Sequence, residues 1–345
     1  MPDSLVKQLN YCTQKGLIMY NSNFYRIIAC GFCLYSISWV SGMEKPKEIA
    51  KADELLHNAT LNGDLNGVKH ALETEGANIE TADIFNPDTP LITAASGGFR
   101  KIFDYLILKG ANVNARGYKG RTALMGAVKS ETTYKAFPIT KTLIAAGATI
   151  ELADNDGNTP LLVAVAQPEP HIDLTKYLVE QGHANINIRT NAGDSVLHKA
   201  VSPKWSADSK ELLDYLISKG ADLAAKNNAG DTILHSAARA GRLDAIEYLL
   251  GKGIDINAKN SVNATPLHHA VLNDHLKAVE YLVDHGADID AKDSSGHTPE
   301  QLAKPEETNG EAIKLLFTSV RALKKALSEL SHSLNTLAKQ VTLKK

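Results

Sequence analysis

The chain has 345 residues, 43% of them hydrophobic, with 37 basic and 39 acidic side chains for a net charge of −2. That length is large for one compact core, a ceiling that does not bind a chain of stacked units. Charge is unevenly placed, +2 on residues 1–43 and +5 on residues 321–345, which leaves −9 on the body between them and excludes nucleic acid as its main ligand.

Residues 27–40 (IIACGFCLYSISWV) are an uncharged, mostly apolar run of 14 directly after Arg26. Fourteen is short of the roughly 20 residues that span a membrane and suits the h-region of an export leader. Val40-Ser41-Gly42 offers a cleavage point that would start the mature chain near Met43, and translation from Met19 would give a leader of 24 residues. The expected location is therefore outside the cytoplasm, periplasmic or secreted. A short uncleaved anchor and a cytoplasmic chain with a sticky N-terminus are the alternatives. All three cysteines, Cys12, Cys30 and Cys33, lie before the repeats, so no disulfide staples the body. Ile27-Ile28-Ala29-Cys30 is a poor lipoprotein box, because it follows Arg26 directly with no apolar run before it, and Cys30-x-x-Cys33 lacks the βαβ surroundings of a redox motif.

From about residue 51 to residue 317 one pattern recurs. Its clearest copy is Thr265-Pro266-Leu267-His268-His269-Ala270, followed by Gly286. The first residue of the signature falls at Thr89, Thr122, Thr159, Ser195, Thr232, Thr265 and Thr298, at spacings of 33, 37, 36, 37, 33 and 33. A hydroxyl there caps a helix, and the proline that follows (Pro90, Pro160, Pro266, Pro299) has its φ set for the first turn. Gly110, Gly147, Gly182, Gly220, Gly253 and Gly286 close the second helix, where a residue free to take positive φ is needed. Turns rich in Asn, Asp and Gly come next, such as Asp154-Asn155-Asp156-Gly157.

A 33-residue period carrying T-P-L-H-x-A resembles the ankyrin repeat, a β-turn followed by two antiparallel helices. The resemblance covers about four-fifths of the chain. It implies an all-α solenoid over residues 44–317, with about seven repeats and a terminal partial one from His297. Leu55-Leu56-His57-Asn58-Ala59 with Gly76 is a degenerate first unit.

The residues that most suggest chemistry share slots of the repeat. His57, His198, His235 and His268 occupy one slot, which predicts a structural hydrogen bond between the first helix and the adjacent turn. Tyr105, Tyr177, Tyr215, Tyr248 and Tyr281 occupy another and predict a ladder of stacked rings on the second helices. Asp154-x-Asp156-Gly157 has the start of a calcium loop, but position 165, where the twelfth-residue Glu would sit, is Val165. No catalytic, metal or cofactor site is expected, and the chain reads as a non-enzyme.

Departures from the repeat mark candidate binding residues. Two neighbouring tips carry aromatics, Phe85 in one and Tyr118 beside Lys119 in the next. The resemblance favours this edge, because ankyrin repeats bind through their tips and inner helices. Three successive units also carry added residues, expected as loops at 130–138, 167–172 and 203–209, which hold Tyr134, Phe137 and Trp205. Insertions of this kind line up on one face.

After Gly296 the pattern changes. Ile313, Leu316, Val320, Leu323, Leu327, Leu330, Leu334, Leu337 and Val341 alternate by three and four, an a/d heptad seam that predicts one helix over residues 311–343. Capping of the last repeat, self-association, and membrane-surface contact through the basic residues 321–345 are its three readings. The whole reads as a protein-binding scaffold, with a regulatory or inhibitory subunit of a partner enzyme as the alternative. An exported bacterial protein, periplasmic or delivered into a host cell, fits these features.

Overall fold

The computed structural model describes residues 51–82, 87–129, 133–167, 171–201, 207–304 and 306–342, and two short strands before them. For 133–135, 207–208 and 336–342 it describes the backbone alone. The strands β1 (Ile18–Met19) and β2 (Arg26–Ile27) pair antiparallel within a unit of their own, Met1–Ala50. The leader run beyond Ile27, its cleavage residues and the three cysteines lie outside the described residues.

The second unit is built of helix pairs. They are α1 (Lys51–Leu61) with α2 (Leu65–Glu73), α3 (Pro90–Ser96) with α4 (Arg100–Leu108), and α5 (Ala123–Val128) with α6 (Thr133–Ala145). Then come α7 (Pro160–Val165) with α8 (Ile172–Glu180) and α9 (Val196–Ala200) with α10 (Ala207–Ser218). Last are α11 (Ile233–Arg239) with α12 (Leu243–Gly251) and α13 (Pro266–Leu272) with α14 (Leu276–Asp284). A 3₁₀ turn at Pro299–Leu302 and the helix α15 (Gly310–Thr342) close the series.

The signature explains why these segments are helices. Thr89 and Thr122 accept hydrogen bonds from the backbone N–H of Ile92 and Met125, and Pro90, Pro160 and Pro266 sit in the first turn. Leu91, Leu161 and Leu267 are each buried, and each first helix packs on the first helices before and after it. Leu91 belongs to a core formed by the first three units and Leu161 and Leu267 to a core that runs onward to Phe317. The apolar side is thus dried layer by layer.

Two expectations are corrected. Gly110, Gly147, Gly220, Gly253 and Gly286 take positive φ, but Gly182 does not; the left-handed residue there is His183, at φ 53°. This unit holds one more residue between helix and next layer, and the Ala184 N–H reaches back to Leu178 O where its counterpart Ala111 reaches Leu106. The second correction concerns the added residues. Thr133 to Pro138 are helical, so α6 has 13 residues and α10 has 12, against nine in α2, α4, α12 and α14. Much of the extra length is absorbed as about one more helical turn in place of loop.

The C-terminal helix stands where the seam places it, at Gly310–Thr342. Ile313 and Phe317 are fully buried and Leu316 and Val320 pack on the core, so the first part of α15 seals the last repeat. Farther along, Leu323, Leu327, Leu330 and Leu334 are exposed, so the capping role ends near Val320. Among the described residues no helix is long and apolar enough to cross a membrane.

Candidate partner-binding surface

The hairpin tips are joined to one another by backbone. Asn155 N–H donates to Lys119 O, Asn191 to Asp156 O, Asn228 to Ala192 O, Ser261 to Ala229 O and Ser294 to Val262 O, at 2.8–3.0 Å. One bond per layer fixes each tip against the next. Glycine is required where the neighbour passes: a Cβ on Gly157 or Gly193 would lie 2.5 or 2.7 Å from the backbone N of Asn191 or Asn228, and both glycines have φ near +80°.

Tyr118 and Lys119 stand on such a tip. Asp88, which is buried, accepts from the Tyr118 N–H at 2.8 Å and pairs with Arg121, while Gly117 N–H closes the turn onto Arg121 O. The turn holds Lys119 at φ 54°, an uncommon setting for a side chain with a Cβ. The Tyr118 ring is 47% exposed, and the Lys119 Nζ lies 5.7 Å from its centroid. This pair is an anchored aromatic and a cation facing solvent.

The other candidates part company with it. Phe85 and Trp205 lie outside the described residues, as does the side chain of Tyr134, whose backbone is in the first turn of α6. Phe137 is half-buried within α6, and its ring meets Tyr177 of the next unit edge-on at 5.2 Å. It is partly consumed by packing between layers and is not a loop residue.

The histidine slot does what its recurrence implies. Nδ1 of His198, His235 and His268 accepts the backbone N–H of Ser195, Thr232 and Thr265 at 3.1–3.3 Å, and the hydroxyl of the same residue lies 2.8–2.9 Å away. A backbone N–H can only donate, so Nδ1 is bare and Nε2–H donates onward, to Asp231 O, Ala264 O and His297 O of the next tip. Burial favours this neutral form and holds His198 and His235 down to about 4, with His268 lowered by the same cause. His57 is buried in the matching place of the first unit.

The tyrosines form clamps instead of a stacked ladder. Tyr105, Tyr215 and Tyr248 donate their hydroxyls to Glu73, Glu180 and Asp214 of the preceding unit, at 2.8, 3.2 and 2.7 Å. Lys109, Lys219 and Lys252, four residues on, pair with the same carboxylates and lie over the rings. Lysine and tyrosine together hold all three carboxyls below their usual range, and burial with the nearby Glu180 pushes Tyr215 up to about 12. Tyr281 departs from this and stacks on His285 at 3.8 Å.

A further recurring position escaped the sequence reading. Asp88, Asp194 and Asp231 immediately precede the capping hydroxyl, and each accepts a hydrogen bond from the next tip, from Tyr118 N–H, Asn227 Nδ2 and Asn260 Nδ2. The repeated Asp-Thr or Asp-Ser pair was the available signal. Asp231 also pairs with Arg239 and lies 3.4 Å from His269. Burial, with Arg239 beside the ring, holds His269 down to about 4, so the Asp231 charge is answered by Arg239 and Asn260 and the imidazole stays neutral. Among the described residues no cluster of His, Cys, Asp or Glu is arranged to hold a metal.

Layers of paired helices, locked tip to tip and presenting side chains along an edge, define a repeat protein of the binding class. The chain belongs to the ankyrin-repeat family: the family model for ankyrin repeats (3 copies) matches residues 56–137, 131–227, 171–260, 205–293 and 260–324. It is 37% identical over 109 residues to the B-cell lymphoma 3 protein homolog of Mus musculus, covering 32% of this chain and 23% of that one. It is 34% identical over 123 residues to an ankyrin repeat protein of Rickettsia felis, covering 35% of this chain and 51% of that one. With an L-asparaginase of Dirofilaria immitis it shares 30% over 169 residues, 49% of this chain and 26% of that one. The chain thus spans from about a quarter to half the length of these relatives. Ankyrin repeats are protein–protein interaction units, and a fold shared by proteins so differently named carries binding before it carries any one activity.

Proposed function

We propose that this protein is a non-enzymatic scaffold that binds a protein partner along its tip edge, with Tyr118 and Lys119 as the anchor. The observation that carries this reading is the exposed Tyr118 ring beside a lysine, on a turn already fixed by Asp88 and by the next tip. A side chain ordered before contact loses little entropy on binding, and a tyrosine centred in an interface is a frequent hot spot. The buried histidines support the non-enzymatic part, since each ring nitrogen of His198, His235 and His268 is engaged in a cap or an inter-layer bond. Quantitative pull-down from native lysate compares the wild type with Tyr118→Ala/Lys119→Ala and with Leu108→Ser, a control at an 81% exposed site away from the tip. Partners lost with the tip variant and kept by the control support the proposal; partners retained at full strength by both overturn it. Export through residues 1–43 is part of the same proposal. N-terminal sequencing of the native protein then returns a start near Met43, and an intact leader refutes it.

A further inference from the structure

The sealing helix continues far beyond what it seals. Its seam residues Ile313, Leu316 and Val320 are spent on the last repeat, yet the same spacing runs on through Leu323, Leu327, Leu330 and Leu334, which are 62, 57, 60 and 59% exposed. Leu337 and Val341 extend it in sequence. At on the order of 100 Å² per leucine, the four leave about 400 Å² of apolar surface on one helix and about 800 Å² on two. Two such stripes already supply about two-thirds of the roughly 1,200 Å² of a specific interface.

We infer that this stretch of α15, from Leu323 to its end, pairs with the same stretch of a second copy as a parallel two-stranded coiled coil. The period decides between a helical partner and a flat one. A strict 3.5-residue seam drifts about 20° per heptad on a straight helix, so from Leu323 to Val341 it turns away from a flat surface by about 50°. Only a helix wound around it keeps every leucine covered. The large apolar side chains are also confined to a and d, a stripe narrower than the face of a helix that lies in a membrane interface.

Flanking residues select the copy over a foreign helix. With Leu323 and Leu330 at d and Leu327 and Leu334 at a, the e and g positions are Lys324, Ser331, Ala338, Ser319, Ala326, Ser333 and Gln340. They carry no acid, and the one cation, Lys324, meets Ser319 of the other chain in a parallel pair, so the helix presents itself with no like charge and offers a different partner no charge code. Ser319 and Ser333 already donate to the carbonyls of Leu315 and Glu329, so a neighbouring helix covers them without stranding a hydroxyl. Within the stretch the d positions are all leucine, the residue that two parallel strands take there, and Leu327, Leu334 and Val341 fill a. The inference is independent of the tip reading.

Sedimentation equilibrium of the reduced full chain tests it. The expected mass is twice the 37.2 kDa of one chain, falling to a single chain for Leu327→Glu/Leu334→Glu. Both sites are exposed, and an unchanged urea midpoint shows that the repeats are intact. A wild type that stays monomeric at tens of micromolar overturns the inference, as does a dimer that survives the double variant. So does a monomer that floats with phosphatidylcholine–phosphatidylserine vesicles. A spin label at Lys339→Cys, in a chain with its native cysteines changed to serine, reads a short inter-copy distance; one about 20 Å longer shows an antiparallel pair and overturns the parallel arrangement.

Discussion

Replacing His235 by glutamine and following stability against pH probes the inter-layer histidines directly. His235 is fully buried and neutral, with its native value near 4 against 6.5 in the unfolded chain. The unfolded chain therefore takes up the proton first as pH falls. The stabilisation from this group is complete above pH 6.5 and is withdrawn between 6.5 and 4. Between pH 7 and pH 5 the loss is about 2 kcal/mol for one such histidine. Gln301 shows that glutamine fills the same place, because its Oε1 accepts the Thr298 N–H at 2.8 Å. His235→Gln thus keeps the cap, gives up the Nε2–H bond to Ala264 O, and does not titrate. At pH 7 the variant is expected to be less stable by about 1 kcal/mol, the net worth of one hydrogen bond. At pH 5 it is expected to match or exceed the wild type, so the two curves from urea unfolding cross. Parallel curves would refute the reasoning. Hydrogen exchange adds a spatial check: the units of His198, His235 and His268 lose protection at pH 5, while those with Ile92, Met125 and Leu162 in that slot keep theirs.

Other outcomes follow from single residues. His183→Gly relieves a left-handed backbone and is expected to stabilise by about 1 kcal/mol in urea unfolding, whereas Gly76→His, at the matching place of the first unit, destabilises by a similar amount. Gly193→Ala puts a methyl against Asn228 N and should cost about 2 kcal/mol or more, with loss of exchange protection at the Asn228 amide. Tyr248→Phe removes a hydroxyl from Asp214 at a solvent-facing clamp and should cost at most about 1 kcal/mol, because Lys252 still answers the carboxylate.

The repeat was legible because its positions are sampled many times over. A leucine at the third place of the signature, a hydroxyl before it and a glycine 21 to 25 residues on from the hydroxyl each recur, and agreement among copies outweighs any one residue's ambiguous propensity. The histidine role was readable for the same reason. The tyrosine register was equally plain, but its chemistry was not. Nothing local shows that Glu73 lies across from Tyr105, since the pairing spans 32 residues and exists only once the layers stack. The preceding aspartates hid likewise, because their partners sit on the following tip.

What happens once in the chain has no such averaging. Pro138 and the residues around it read as loop, since an interior proline removes an i→i−4 bond, yet α6 carries Pro138 as its sixth residue, with the Thr142 hydroxyl donating to Pro138 O. Gln181-Gly182-His183 looks like a displaced closing glycine. It takes the layer geometry to see that the left-handed place falls one residue later, where the first unit has Gly76. The Tyr118 tip and the free end of α15 are also single-copy features, and they differ from these errors in one physical respect. The misread segments are reabsorbed by packing, whereas a 47% exposed ring and four leucines near 60% exposure remain turned to water after the fold is complete. Surface left over when every layer is dry is what a binding protein has to offer a partner, and among the described residues the Tyr118 tip and the far part of α15 hold such surface.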